Sequence, residues 1–113
     1  MTLIAFPGLA AWPVLEQALR TRRPVALRYH GQDRVACPHA LGFKAGRARV
    51  LSYQVGGTTS TGTLPGNPAQ RWRCLFIDEI EEIRITDGPW QTAPNYSPAT
   101  ANGIDTLMIA LDA

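Results

Sequence analysis

The sequence predicts a mainly β domain, a small and strongly bent barrel of about five antiparallel strands preceded by one α-helix. Three observations support this. A period-two alternation of apolar and polar residues starts at Pro24 and recurs in successive short segments. Clusters of Gly, Asp, Asn and Pro separate those segments at hairpin length. The three-to-four apolar spacing of a helix occurs in one early stretch, around Val14, Leu15, Ala18 and Leu19. A chain of 113 residues makes one domain, able to bury roughly 60 to 68% of the surface its unfolded form exposes. Closing the sheet suits a domain of this size because it removes exposed strand edges.

The helix is expected from about Trp12 to Arg22, with Pro13 as an early helical residue whose missing N–H costs nothing there. Arg20, Arg22 and Arg23 fall at its C-terminal end, where positive charge suits the helix dipole, and Pro24 ends it. From there Val25, Leu27 and Tyr29 share one face, with Ala26, Arg28 and His30 on the other. Gly31-Gln-Asp33 reads as a short polar turn, after which Val35 and Cys37 continue the inward set opposite Arg34 and Ala36. Pro38 indicates a strand end or an edge position. Lys44-Ala-Gly46 is the next turn, and Arg47 to Val55 a third strand whose inward face is left open, because Ala48 and Val50 alternate with Leu51, Tyr53 and Val55.

Residues 56–70 are mostly turn formers, longer than most connections inside compact domains; such a stretch is either a binding segment or a tolerated insertion. Strands resume at Arg71 to Ile77 and at Ile80 to Thr86. After Asp87-Gly-Pro89 the chain reads as irregular up to Ile104 to Leu111, which is a strand, a short helix or an oligomer contact.

A net charge of +2 conceals a division. Ten of the eleven basic residues lie between Arg20 and Arg73, where Asp33 is the single acid; from Cys74 onward seven acids face Arg84 alone. The fold either pairs these halves or displays a basic and an acidic pole. Arginine supplies ten of the eleven positive charges, and its planar fork suits phosphate, carboxylate or stacked bases better than lysine does. No stretch approaches the roughly 18 to 20 apolar residues of a membrane span, and Met1 to Pro7 lacks the pattern of a signal peptide. A cytoplasmic location with Cys37 and Cys74 as free thiols is the expectation. Asn95-Tyr-Ser97 matches a glycosylation acceptor, without consequence in that compartment.

Catalytic and metal chemistry find little support. Cys37, His39, Cys74 and His30 are possible zinc ligands, but without Cys-x-x-Cys spacing they read better as core and strand-end residues, so neither metal nor cofactor is expected. A Cys37/His39 nucleophile pair has no orienting acid nearby in sequence. Asp78, Glu79, Glu81 and Glu82 read as a solvated acidic turn rather than paired catalytic carboxylates, and Gly56-Gly57 leads into threonines, not into a phosphate-binding helix.

The ordered set Arg23-Pro24-Val25, Leu27-Arg28-Tyr29, Gly31 with Arg34-Val35, Pro38-His39-Ala40-Leu41-Gly42, Gly46-Arg47, Trp72-Arg73-Cys74 and Ile77-Asp78-Glu79-Ile80 resembles the WYL domain over about residues 13 to 86. The resemblance implies an Sm-like barrel that senses a ligand or binds nucleic acid within a bacterial transcription regulator. The chain departs from the family where its name-giving triplet falls on Ala48-Arg49-Val50, and where Phe76 and Glu79 replace two usual arginines. The family's winged helix-turn-helix is not found ahead of the first helix, so a separate helix-turn-helix partner is a further expectation.

A non-enzymatic recognition module for a negatively charged ligand is therefore expected, the ligand being single-stranded nucleic acid or a nucleotide-like effector. Surface arginines Arg28, Arg34, Arg47, Arg49, Arg71 and Arg73 would supply charge recognition and Tyr53 a stacking face, with Tyr29 and Trp72 interleaved but better placed for the core. The alternative is an oligomerising or protein-partner adaptor that uses the apolar C-terminal segment or the acidic strand.

Overall fold

The computed structural model describes residues 10–59, 62–96 and 104–111. A single helix, α1 (Ala11–Thr21), precedes six antiparallel strands: β1 (Val25–Tyr29), β2 (Gln32–Lys44), β3 (Arg47–Gly57), β4 (Trp72–Phe76), β5 (Ile80–Ile85) and β6 (Thr106–Ala110). Helix α1 buries Ala11, Leu15, Ala18 and Leu19 along one stripe. Arg22 closes it in the left-handed conformation (φ 52°, ψ 57°). The Arg23 N–H donates to the Ala18 carbonyl and the Arg22 N–H to that of Leu19, the paired return bonds of a Schellman end.

Two tight hairpins build the centre of the sheet. Tyr29 opposes Gln32 across His30-Gly31, and Lys44 opposes Arg47 across Ala45-Gly46. All four turn residues have positive φ, the type I′ geometry whose twist matches that of the flanking strands. The first turn thus holds two residues, not the three of Gly31-Gln-Asp33, and the one-residue difference exchanges the faces of the following strand. Arg34 lies opposite Leu27 and Ala36 opposite Val25, so Arg34 and Ala36 enter the core face while Val35 is only half-buried. The expected inward position of Val35 is corrected accordingly, while Cys37 is buried as expected but on the opposite face of the sheet, in a second cluster.

The strand path runs β4-β3-β2-β1-β5. Strand β2 pairs with β3 along one edge over Arg34 to Lys44; its other edge takes β1 up to Ala36 and β6 from Ala40. Pro38 is therefore neither a strand end nor a sheet edge: it lies inside β2, in the gap between two successive partners, where its missing N–H disturbs no ladder on that side. His39 is the extra residue of a bulge, since Pro38 opposes Ser52 and Ala40 opposes Leu51. Gly42 admits β6, because a Cβ there would stand 2.2 Å from the Thr106 carbonyl oxygen.

Strands β4 and β5, at opposite ends of the path, are joined by one 3-10 turn, Ile77–Glu79. The Phe76 N–H donates to the Tyr29 hydroxyl at 3.1 Å, which brings the end of β4 to the end of β1. The described pairings include no β4–β5 ladder, so the sheet is open. Its main core joins Leu15 and Leu19 of α1 to Val25, Leu27, Leu41, Val50, Leu75 and Ile77. A second cluster sets Cys37 and Tyr53 against Ala93, with Trp72 and Trp90 around them. The long connection after β3 starts at Thr58 and ends in a second 3-10 turn, Pro68–Gln70. The apolar C-terminal segment, left open by its periodicity, is a strand. Among the described residues no helix is long and apolar enough to cross a membrane.

Candidate anion-recognition site

The two charge halves pair with each other. Arg47 donates to Asp78 at 2.7 Å and to Glu79 at 2.8 Å, Arg23 meets Asp87, His30 meets Glu79, and Lys44 lies 3.6 Å from Asp105. The Arg47 guanidinium holds Glu79 below the usual carboxylate range, aided by His30, while the two carboxylates raise Arg47 itself. Arg28 is bound to Asp33 at 3.0 Å and faces Glu82 across β5. Arg28 and Arg47 are thus largely compensated. Arg49 donates to the Cys74 carbonyl at 3.1 Å and lies 4.3 Å from the Phe76 ring centroid, with Arg47 at 3.7 Å from the same ring.

Arg71 and Arg73 differ, because the acceptors they find are neutral. Arg71 Nε donates to the Pro65 carbonyl at 2.8 Å, and an Arg73 terminal nitrogen reaches the carbonyls of Gln70 and Trp72 at 2.8 Å each. Tyr53 is only 3% exposed and packs edge-on to Trp72 at 5.0 Å, so its ring offers no face to a ligand. That corrects the expected stacking role. On β3, Tyr53 and Val55 face the second cluster, which Trp90 and Ala93 help to cover.

Arg34 is the exceptional member. It was expected on the surface and is instead 5% exposed, placed on the core face by the two-residue turn. One terminal nitrogen donates to Gln32 Oε1 at 3.2 Å, and its guanidinium carbon lies 5.2 Å from the Tyr29 ring centroid. Its Nε is buried with no hydrogen-bond partner among the described residues. Burial lowers its pKa; Tyr29 offsets part of that shift and the charge of Arg73 adds to it. The register explains that proximity: Ala36 pairs with Gln54, and Ser52 with Arg73, so Arg34, Gln54, Ser52 and Arg73 share one face. Gln54 is 1% exposed; its amide N–H groups reach Gly56 and Thr58, while its Oε1 is buried without a partner among the described residues.

A cleft of about 470 Å³ opens beside Arg34, lined also by Leu27, Arg28, Asp33, Glu82 and Arg84. That volume is within the range of small-molecule sites. Arg28 and Arg84 meet Asp33 and Glu82 there, on the face opposite to that of the Arg34 guanidinium, and among the described residues Arg84 makes no ion pair. Sequence reasoning took Glu82 as part of a solvated acidic turn and did not single out Arg84; only the β1–β5 pairing places them beside Arg28 and Ala26.

The four residues weighed as zinc ligands do not converge. His30 stacks on Tyr29 and meets Glu79, at a distance from the buried pair Cys37 and His39 in the fold's second cluster. His39 Nδ1 donates to the Cys37 carbonyl at 2.7 Å and Nε2 accepts from the Thr92 hydroxyl at 2.9 Å, so both ring nitrogens are engaged. Burial raises the thiols of Cys37 and Cys74 and disfavours the thiolate a nucleophile requires. His39 is also ringed by Trp72, Trp90 and Tyr96, with centroids 4.7 to 4.9 Å away. This aromatic cluster was not legible in the sequence, because Trp90 and Tyr96 belong to an irregular stretch with no periodicity. No family model matches the chain, and no curated protein or solved structure matches it either.

Proposed function

We propose that the chain is a non-enzymatic recognition module, a bent barrel of the Sm-like WYL type that its sequence resembles, and that it takes a small anionic, nucleotide-like effector at Arg34. The observation that carries this reading is Arg34 itself. Arg34 is a nearly buried cation whose contacts are a neutral amide, the Tyr29 ring and a second cation, and a buried charge is disfavoured until a counter-charge is supplied. An anionic group that reaches Arg34 on its own face of the sheet, beside Gln32 and Arg73, supplies it and can bond the unfilled Nε. Arg34 is only 5% exposed, which favours a small nucleotide-like molecule over a nucleic-acid strand.

Calorimetric titration with adenosine monophosphate, against adenosine as neutral control, tests this. The nucleotide should bind at least tenfold more tightly. Arg34→Met should abolish that preference while leaving the apo protein as stable or more stable, since an apolar isostere removes a poorly compensated buried charge. An Arg34→Met protein that binds the nucleotide unchanged refutes the assignment. Salt-sensitive binding of a labelled oligothymidylate, lost in Arg71→Ala/Arg73→Ala, with no nucleotide binding, would move function to the β4 edge.

One observation favours a second reading, association through β6. Leu107 and Met108 are 43% and 59% exposed on a strand whose only described partner is β2. Leu107→Ser/Met108→Ser should convert an oligomer to a monomer in solution-mass measurements; a wild-type monomer at high concentration would eliminate this reading.

A further inference from the structure

We infer that a second site, the pocket beneath the C-terminal end of α1, binds a small planar aromatic carboxylate, with the carboxylate on Arg22 and the ring against Trp90 and Tyr96. The pocket encloses about 410 Å³ and shares no lining residue with the Arg34 cleft. Its walls include Arg22, His39, Trp90, Thr92, Tyr96 and Leu111. Two aromatic side chains and a buried imidazole suit a flat ring, because aromatic faces and edges pack on one another at the centroid distances already present in this cluster.

Arg22 supplies the charge selection. It is the one formally charged residue of the described lining, so among the described residues the pocket carries an uncompensated positive charge. Its neighbours are committed, Arg20 to Glu16 at 3.0 Å and Arg23 to Asp87, whereas the Arg22 side chain has no hydrogen bond or ion pair among the described residues. The left-handed backbone at Arg22, unusual for a non-glycine residue, belongs to the Schellman end and fixes where the side chain leaves the helix. Trp90 contributes a second donor, since its indole N–H makes no hydrogen bond among the described residues while those of Trp12 and Trp72 are bonded to Glu16 and Asn95. The floor is pre-formed: the Tyr96 hydroxyl lies 3.2 Å from the His39 carbonyl and 2.8 Å from that of Leu111, and Thr92 fixes the His39 ring. A rigid aromatic wall with one guanidinium at its mouth discriminates an aromatic anion from its neutral amide.

The test is a proton–nitrogen NMR titration of the full chain with 2-naphthoate and, separately, 2-naphthamide. With naphthoate the Trp90 indole cross-peak should shift saturably while that of Trp12, stacked on Phe43 at the N-terminal end of α1, stays fixed; naphthamide should bind at least tenfold more weakly. Arg22→Asn keeps a residue tolerant of the left-handed conformation and should weaken naphthoate at least tenfold with unchanged melting temperature. Absence of a saturable Trp90 shift, equal affinity for acid and amide, or unchanged affinity in Arg22→Asn would each overturn the inference. So would binding that appears only after removal of Asp112 and Ala113, which would assign Arg22 to the chain's own carboxylates.

Discussion

Acidification should destabilise this protein through His39, and the size of the effect follows from where the ring sits. His39 is 1% exposed, donates from Nδ1 to a carbonyl and accepts at Nε2 from a hydroxyl. Burial opposes the imidazolium and pushes its pKa down to about 4 from an ordinary 6.5; the Cys37 carbonyl partly offsets this and the Arg22 charge adds to it. Between those two values the unfolded chain binds a proton that the folded chain does not, so stability rises with pH across this window and is lost as pH falls. Relative to pH 7 the loss is about 2 kcal/mol at pH 5 and about 3 kcal/mol at pH 4, from about 1.4 kcal/mol per pH unit of differential protonation. Urea denaturation at pH 7 and pH 5, for wild type and His39→Asn, measures it. The variant retains an amide donor for the Cys37 carbonyl and carries a packing cost, but that cost is the same at both pH values. Other acid-sensitive groups, such as Glu79, remain in both proteins and cancel in the comparison. Wild type should lose about 2 kcal/mol more than His39→Asn between pH 7 and pH 5. Equal losses would refute the reasoning.

Two backbone predictions follow from close approaches. Gly57→Ala should destabilise the whole domain by about 2 kcal/mol or more, because φ is +80° and the new Cβ would lie 2.1 Å from the Asp33 carbonyl oxygen and 2.7 Å from the Arg34 Cα; a denaturation midpoint equal to that of wild type would contradict the β2–β3 register. Gly42→Ala should release β6 selectively, since its Cβ would meet the Thr106 carbonyl at 2.2 Å and the Ile104 side chain at 2.6 Å. Amide exchange at Leu107 and Ile109 should then accelerate while that at Val25 and Leu27 changes little; uniform acceleration would show that β6 is no separable unit.

The parts of this fold that were legible in the sequence are those governed by local chemistry. The apolar spacing of Leu15, Ala18 and Leu19 sufficed for α1, and the alternation of Val25, Leu27 and Tyr29 for the inward face of β1, because helical and strand periodicities act within one element. The glycine at the second position of each tight turn marked both hairpins. A difference of one residue in the first turn was not legible. It placed Arg34 inside, since strand faces alternate at every residue, and turned a presumed surface cation into the centre of the candidate site.

Non-local pairing decided the rest. Which arginines meet carboxylates depends on contacts such as Arg47 with Asp78 and Arg23 with Asp87, between residues far apart in the chain, and no composition or spacing reveals them. The same holds for Tyr53, whose parity on β3 was ambiguous until the irregular segment bearing Trp90 and Ala93 covered that face. Sequence alone carried the mainly β class, five of the six strands, the helix, the division of charge and the arginine bias. The tertiary structure decided which charges are compensated and which are not, because compensation is a property of distance, and distance between remote residues exists only once the sheet has formed.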